Sequence, residues 1–175
     1  SFVVCASGMS GTALITSADD PCYQDLREGL SAVAVDLATR IVRDGEGATK
    51  FVTIRVRGGA DTEECLRVAY TIAESPLVKT AAFAGDPNWG RFCMAIGRSG
   101  VKDLDTGSVD LYLDDVCVAR GGLLAPDYTE ADGARVMAQD EFEIRVELGR
   151  GDAEEVVWTC DLSYEYVRIN AEYRT

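Results

Sequence analysis

Segments of helical period and segments of strand period alternate along this chain, cut by glycine and proline. That interleaving confines it to a layered α/β fold. Asp20-Pro21 is a helix start, with a carboxylate at the N-cap and proline at the first helical position. Leu26, Leu30, Val33, Leu37 and Ile41 then recur at helical spacing as far as Arg43, and Asp44-Gly45 ends the helix. Residues 50–57 alternate as a half-buried strand does, and Gly58-Gly59 breaks it. Asp61 to Glu64 resembles a capping box and opens a second helix through Leu66, Ala69, Tyr70 and Ala73, with Pro76 beyond its end. Val78 to Ala84 reads as an apolar strand, 85–90 as a dense loop, and Phe92 to Ile96 as the start of a short helix. Val109 to Ala119 reads as strand-turn-strand, residues 129–138 as a short helix, and Glu141–Glu147 and Glu155–Tyr166 as two further strands. There is no internal repeat.

The two ends carry their own expectations. Ser1 to Ala6 is apolar and reads as a buried strand entering the turn Ser7-Gly8-Met9-Ser10-Gly11. A start in mid-strand suggests that Ser1 is a processing boundary. The C-terminal stretch stays aromatic and apolar almost to its last residue, so it is expected to dock. A terminal strand accounts for Val167 and Ile169 but not for Tyr173. Lobe boundaries are expected near Gly58-Gly59 and near Gly149-Arg150-Gly151.

Charge narrows the function classes. The 175 residues hold 17 Lys plus Arg against 30 Asp plus Glu, a net charge of −13. A nucleic-acid partner needs a basic surface, so it is not expected. A small anion binds such a chain only in a local pocket that offsets the global field. No stretch has the apolar length of a membrane span, and none has the order of a signal peptide. Six cysteines, at 5, 22, 65, 93, 117 and 160, form no C-x-x-C pair and no zinc pattern. Most lie in apolar runs, which favours buried free thiols and a reducing compartment.

The chain has no histidine. Self-contained Ser-His-Asp and Cys-His mechanisms are therefore excluded, and the commonest zinc ligand is missing. Carboxylate, lysine or thiolate chemistry remains, as does an N-terminal residue whose own amine acts as base. Asp44-Gly45-Glu46-Gly47-Ala48-Thr49-Lys50 is not a P-loop, since its glycine-to-lysine spacing is wrong. Two glycines around Glu46 allow a sharp turn that aims one carboxylate, which suits a substrate ammonium. A helix C-cap with a solvated glutamate explains the same residues. Gly85-Asp86-Pro87-Asn88-Trp89-Gly90-Arg91 is a loop that is expensive to order, so it carries function, a contact between domains, or a Trp-anchored turn.

Several of these segments together resemble the ornithine acetyltransferases, also called glutamate N-acetyltransferases or arginine biosynthesis bifunctional proteins. The matching residues are Asp44-Gly-Glu-Gly-Ala-Thr-Lys50, Ser75-Pro-Leu-Val-Lys-Thr80, Asp86-Pro-Asn-Trp-Gly-Arg91, Ala95-Ile-Gly97 and Trp158-Thr-Cys-Asp-Leu-Ser163. Tyr166-Val-x-Ile-Asn170-x-x-Tyr173-x-Thr175 completes the set. They occur in the family's order, span nearly the whole chain, and look like the C-terminal part of the family's β subunit.

The resemblance implies an α-β-β-α sandwich of that family's type with a second, smaller α/β lobe. Residues 1–58 would belong to the nucleophile-containing domain, 59–150 to the second lobe, and 151–175 to a segment returning to the active site. It implies self-cleavage into α and β subunits that exposes a threonine nucleophile. That threonine takes acetyl from N-acetylornithine and passes it to glutamate, in a ping-pong scheme that needs no imidazole. The family's Met-Ala-Thr-Met-Leu motif around that threonine is absent here. The nucleophile and the oxyanion hole are therefore expected upstream or on the α subunit, and the chain alone is expected to be inactive. Glu46, Asn170 and Thr175 match the family's substrate-binding positions. No metal or resident cofactor is implied, although bifunctional members accept acetyl-CoA as donor. The implied partners are N-acetylornithine, glutamate and the α subunit of the same precursor in a hetero-oligomer. The implied compartment is the cytoplasm, or the mitochondrial matrix in a eukaryote. Two competing readings are a hydrolase with Ser1 as N-terminal nucleophile and a non-catalytic assembly segment.

Overall fold

A computed structural model describes residues 3–173. The chain divides into two units, residues 1–41 and residues 42–175. In the first unit, residues 3–19 form no strand. Val3 and Val4 are exposed, against the expectation of a buried strand. Among the described residues no strand runs beside them, and a strand without a ladder partner leaves its backbone groups to water.

Helix α1 (Pro21–Arg43) begins where its proline and capping aspartate place it, with Cys22 N–H donating to Asp20 Oδ1 at 2.9 Å. None of its residues is buried, and Leu26, Leu30, Val33, Leu37 and Ile41 are all exposed.

The second unit is built on one six-stranded sheet. Its strands are β1 (Phe51–Gly59), β2 (Asp110–Leu113), β3 (Val116–Arg120), β4 (Leu123–Leu124), β5 (Glu141–Glu147) and β6 (Ala153–Cys160). Their order across the sheet is β4-β3-β2-β5-β1-β6. β1 and β5 pair in parallel, and every other neighbour is antiparallel. The β1–β5 register sets Val52 beside Phe142, Ile54 beside Ile144 and Val56 beside Val146. All six are buried. The alternate positions bear Arg55, Arg57, Glu143 and Glu147, joined in ion pairs with one another and with Glu154 on β6. The period of two thus sorts the sheet into an apolar face and a charged, part-exposed face.

Helices cover the apolar face. They are α2 (Thr62–Ala73), α3 (Pro76–Ala84), α4 (Trp89–Gly97) and α5 (Glu130–Met137). α2 lies on β1 and β6 through Cys65, Val68, Ala69 and Ile72, while α4 packs on α2 through Phe92, Ala95 and Ile96. Helix α6 (Tyr164–Glu172) closes the described chain. The layered α/β class is the class expected.

The details differ in four places. Residues 78–84 are helix, not strand. Ser75 caps α3 by accepting from Val78 N–H, Pro76 takes the first turn, and Gly85 ends it at φ +66°. That cap signal outranks a short apolar run, which periodicity alone cannot assign. β6 stops at Cys160 instead of running to Tyr166, because Ser163 caps a helix there. The last described segment is therefore α6, and Val167 and Tyr173 are exposed instead of docked. Of the six cysteines only Cys65 is buried. Cys93, Cys117 and Cys160 are half-buried, and Cys5 and Cys22 are exposed. The two glycine pairs expected to mark lobe boundaries lie together at one end of β1, where Arg150 and Gly151 N–H both donate to Gly58 O.

Candidate functional site

The segment after α1 is a tight loop held at three points. Ala48 N–H donates to Gly45 O at 2.9 Å, and Gly47 sits at φ +69°. A side chain at Gly47 would also meet Tyr166 N at 2.6 Å, so glycine is required there by both backbone and space. Before the loop, the Arg43 guanidinium makes a two-pronged pair with Glu141 and lies 3.7 Å over the Phe51 ring. This hydrogen-bonded pair holds the Glu141 carboxyl below the usual carboxylate range. After the loop, Lys50 Nζ donates to Ala138 O and Gln139 O at 3.2 and 2.7 Å, carbonyls at the C-terminus of α5.

The third hold is a buried carboxylate. Asp161, only 3 % exposed, accepts from Thr49 N–H at 2.7 Å, Lys50 N–H at 2.8 Å and Thr49 Oγ1 at 2.7 Å. Two residues on, the Ser163 hydroxyl donates to Gly47 O at 2.6 Å and accepts from Tyr166 N–H as the cap of α6. One hydroxyl therefore joins the loop to the helix. α6 then carries Asn170 back over the loop, and Asn170 Nδ2 donates to Glu46 Oε2 at 3.0 Å across 124 residues of sequence. The second amide proton goes to Tyr166 O at 2.9 Å, which fixes the side chain on its own helix. Glu46 Oε1 and Asn170 Oδ1 keep no partner among the described residues. Both side chains are exposed. The pair presents one anionic acceptor and one neutral acceptor to solvent, a combination that suits a protonated amine.

A frame stands behind this pair. On α3, Lys79 Nζ donates to Thr159 Oγ1 at 3.0 Å and to Cys160 O, while Leu162 N–H donates to Lys79 O at 3.2 Å. Phe83 of α3 meets Tyr164 of α6 edge-to-face, with ring centroids 5.4 Å apart. The loop at 85–91 supports α3 in turn. Arg91 donates to Leu77 O and Thr80 Oγ1 at 3.0 and 3.2 Å, and Asn88 caps α4. The side chains of that loop thus serve α3 and α4.

The matching family is described as the ArgJ family, and its match covers residues 1–175. The chain belongs to the ArgJ family. Among similar proteins is the "Arginine biosynthesis bifunctional protein ArgJ" of Pseudomonas fluorescens (strain Pf0-1), 55 % identical over 170 residues. The match covers 97 % of this chain and 42 % of that protein. The protein of the same name from Pseudomonas syringae pv. tomato is 54 % identical over the same shares. The chain thus spans less than half the length of these ArgJ relatives. The crystal structure of the ArgJ protein of Bacillus halodurans superposes with a TM-score of 0.91 at 36 % identity, covering 98 % of this chain and 79 % of that one.

Two of the three binding residues expected from the resemblance, Glu46 and Asn170, come together in the structure. Thr175 lies outside the described residues, as does Ser1, the nucleophile of the competing hydrolase reading. A cleft of 240 Å³ lined by Arg43, Thr49, Lys50, Asp140 and Glu141 flanks the same loop, with Arg43 and Glu141 spent on each other and Lys50 on two carbonyls. Among the described residues no cluster of three or more His, Cys, Asp or Glu is arranged for a metal ion. No described helix is long and apolar enough to cross a membrane. The sequence places Lys79, Asp161 and Ser163 inside the matching segments but assigns none of them a role. The available signal was Ser163 followed by Glu165, a cap ahead of an acidic first turn that also stops the strand.

Proposed function

We propose that the protein transfers acetyl from N-acetylornithine to glutamate, with this chain supplying the groups that hold the amino-acid substrates. The observation that carries the reading is the hydrogen bond from Asn170 to Glu46, which joins a carboxylate and an amide from opposite ends of the second unit. The family membership and the relatives' name, which places them in arginine biosynthesis, support the same class of substrate.

In this reading the nucleophile is a threonine outside this chain, whose own amine removes the hydroxyl proton. The hydroxyl attacks the acetyl carbonyl of N-acetylornithine, and ornithine leaves. The amine of glutamate then attacks the acetyl-enzyme, which restores the threonine. Glu46 takes an ammonium group of the substrate on its free oxygen, and Asn170 orients that carboxylate. Their work is placement of the reacting groups, not proton transfer. The α subunit of the same precursor supplies the oxyanion hole, and the two subunits assemble as a hetero-oligomer. Acetyl-CoA serves as an additional donor if the protein is bifunctional, as its relatives' name says of them.

The test is Glu46→Ala and Glu46→Gln in the intact, processed protein. Removing a hydrogen bond between charged groups corresponds to about 1.5–3 kcal/mol. Hence kcat/KM for N-acetylornithine falls roughly 10- to 150-fold in Glu46→Ala. Unchanged kinetics in that variant refute the role of Glu46. Absence of acetyl transfer in the unsubstituted protein refutes the function.

A further inference from the structure

Cys160 differs from the other cysteines in having a lysine amine against its sulfur. Lys79 Nζ lies 3.7 Å from Cys160 Sγ, fastened by Thr159 Oγ1 and by the carbonyl of Cys160 itself. The residue that bears the thiol therefore also anchors the amine. Both residues are half-buried, so neither is sealed in the core. Gly45 bounds the other side. A Cβ there would lie 3.4 Å from the sulfur, so the thiol sits directly behind the Glu46 loop.

The remaining thiols lack this arrangement. Cys65 is buried, donates to Ala153 O, and is pushed up by burial, as Cys93 is. Cys117 has a guanidinium nitrogen of Arg120 at 3.8 Å, which stays protonated and is no nucleophile. Cys5 and Cys22 are exposed, and among the described residues no amine bonds to either sulfur.

We propose that Cys160 is an oxidative modification site, at which a hydroperoxide converts the thiol to a sulfenic acid and Lys79 traps that acid as a nitrogen–sulfur bond. In the first step the sulfur attacks a peroxide oxygen. An S–O bond forms, the O–O bond breaks, and the second oxygen takes up the thiol proton and leaves, as water from hydrogen peroxide or as the alcohol from an organic hydroperoxide. Sulfur is oxidised and the peroxide is reduced. In the second step the Lys79 ammonium releases a proton to water, and the free amine attacks the sulfur. The N–S bond forms, the S–O bond breaks, and the hydroxyl departs as water with a further proton from nitrogen. No second oxidant enters. Sulfenic acids condense with nitrogen in this way when one is close. Without such a partner they oxidise on to sulfinic and sulfonic acids, which do not return. The flexible lysine stem closes the remaining distance once it releases Thr159 and the Cys160 carbonyl.

The intact protein is treated with hydrogen peroxide, alkylated, digested without reductant and examined by mass spectrometry. The expected product is a linked pair of peptides joining residues 79 and 160, two hydrogens lighter than their sum. Dithiothreitol returns it to an alkylatable Cys160. Lys79→Arg keeps a cation that can reach Thr159 but cannot close the bond. In that variant the linked pair is lost, and sulfinic and sulfonic forms of Cys160 rise severalfold. The proposal is overturned if wild-type Cys160 stays fully alkylatable after peroxide, if it oxidises onward with no linked pair, or if Lys79→Arg leaves its oxidation products unchanged. None of these outcomes depends on the acetyl-transfer reading.

Discussion

Replacing Asp161 with alanine removes three donors' common acceptor at once. Hydrogen bonds to a charged group contribute about 1.5–3 kcal/mol each, so the gross loss is roughly 5–9 kcal/mol. Two effects reduce it. Thr49 is exposed and Lys50 half-buried, so water replaces part of what is lost, and the variant no longer desolvates a carboxylate that is only 3 % exposed. We expect a net local destabilisation of about 3 kcal/mol for Asp161→Ala. Asp161→Asn keeps an oxygen where Oδ1 receives Thr49 and Lys50 N–H, and the Thr49 hydroxyl can turn to accept from the new amide. Its loss is therefore about 1 kcal/mol. The assay is amide hydrogen exchange in the intact protein, read at Thr49 and Lys50. A 3 kcal/mol drop in local opening energy speeds their exchange about 150-fold in Asp161→Ala, and the asparagine variant changes it about fivefold. Exchange at both amides within about threefold of wild type in Asp161→Ala would refute the claim that this carboxylate holds the loop.

Three further outcomes follow from the geometry. Gly47→Ala combines a left-handed φ of +69° with a contact on the Tyr166 backbone nitrogen, and should lower stability by about 2–4 kcal/mol, read as a shift of the thermal midpoint. Gly133→Ala should destabilise although alanine normally favours a helix interior by about 1 kcal/mol, because the new methyl meets the Tyr128 hydroxyl and lies 2.7 Å from Cβ of the rigid Pro87 ring; a stabilised variant in urea denaturation counts against that packing. Arg43 lowers the folded pKa of Glu141 chiefly by hydrogen bonding, so the pair's contribution is present above the unfolded value of about 4.3 and lost as pH falls through the lower folded value. Acidification through that window should therefore destabilise wild type more than Glu141→Gln, and equal acid limbs would contradict the assignment.

The legible parts of the fold were those with a local cause. The Asp20-Pro21 start, the Asp61 cap and the alternation in 50–57 each act within a few residues, and each element begins near where these signals place it, although β1 runs on through the Gly58-Gly59 pair expected to break it. The misreadings arose where two local causes competed. Val78 to Ala84 is apolar enough for a buried strand, but Ser75-Pro76 before it and Gly85 after it supply both ends of a helix. The run beginning at Glu155 is strand as far as Cys160, and Ser163, whose hydroxyl captures the Tyr166 amide, then turns the chain into α6. Burial of the cysteines was misjudged for a related reason. Short apolar neighbours describe a side chain's sequence surroundings, and only the tertiary layer decides what covers it.

The site divides along the same line. Glu46 is conspicuous because two glycines flank it, and Asn170 because it sits in a terminal stretch that resembles a known motif. That the two touch depends on Asp161 and Ser163, whose partners are more than a hundred residues away in sequence. No period or spacing encodes such a contact, since a buried aspartate with three donors has the same local sequence as a solvated one. Asp161 and Ser163, which set the distance between Glu46 and Asn170, are turned to the backbone of the loop. They nevertheless fix whether Glu46 and Asn170 present one surface or two. If Glu46 and Asn170 hold substrate as proposed, substitution at Asp161 or Ser163 should weaken substrate binding while leaving the chemical step intact, the opposite of what loss of a nucleophile or its base produces.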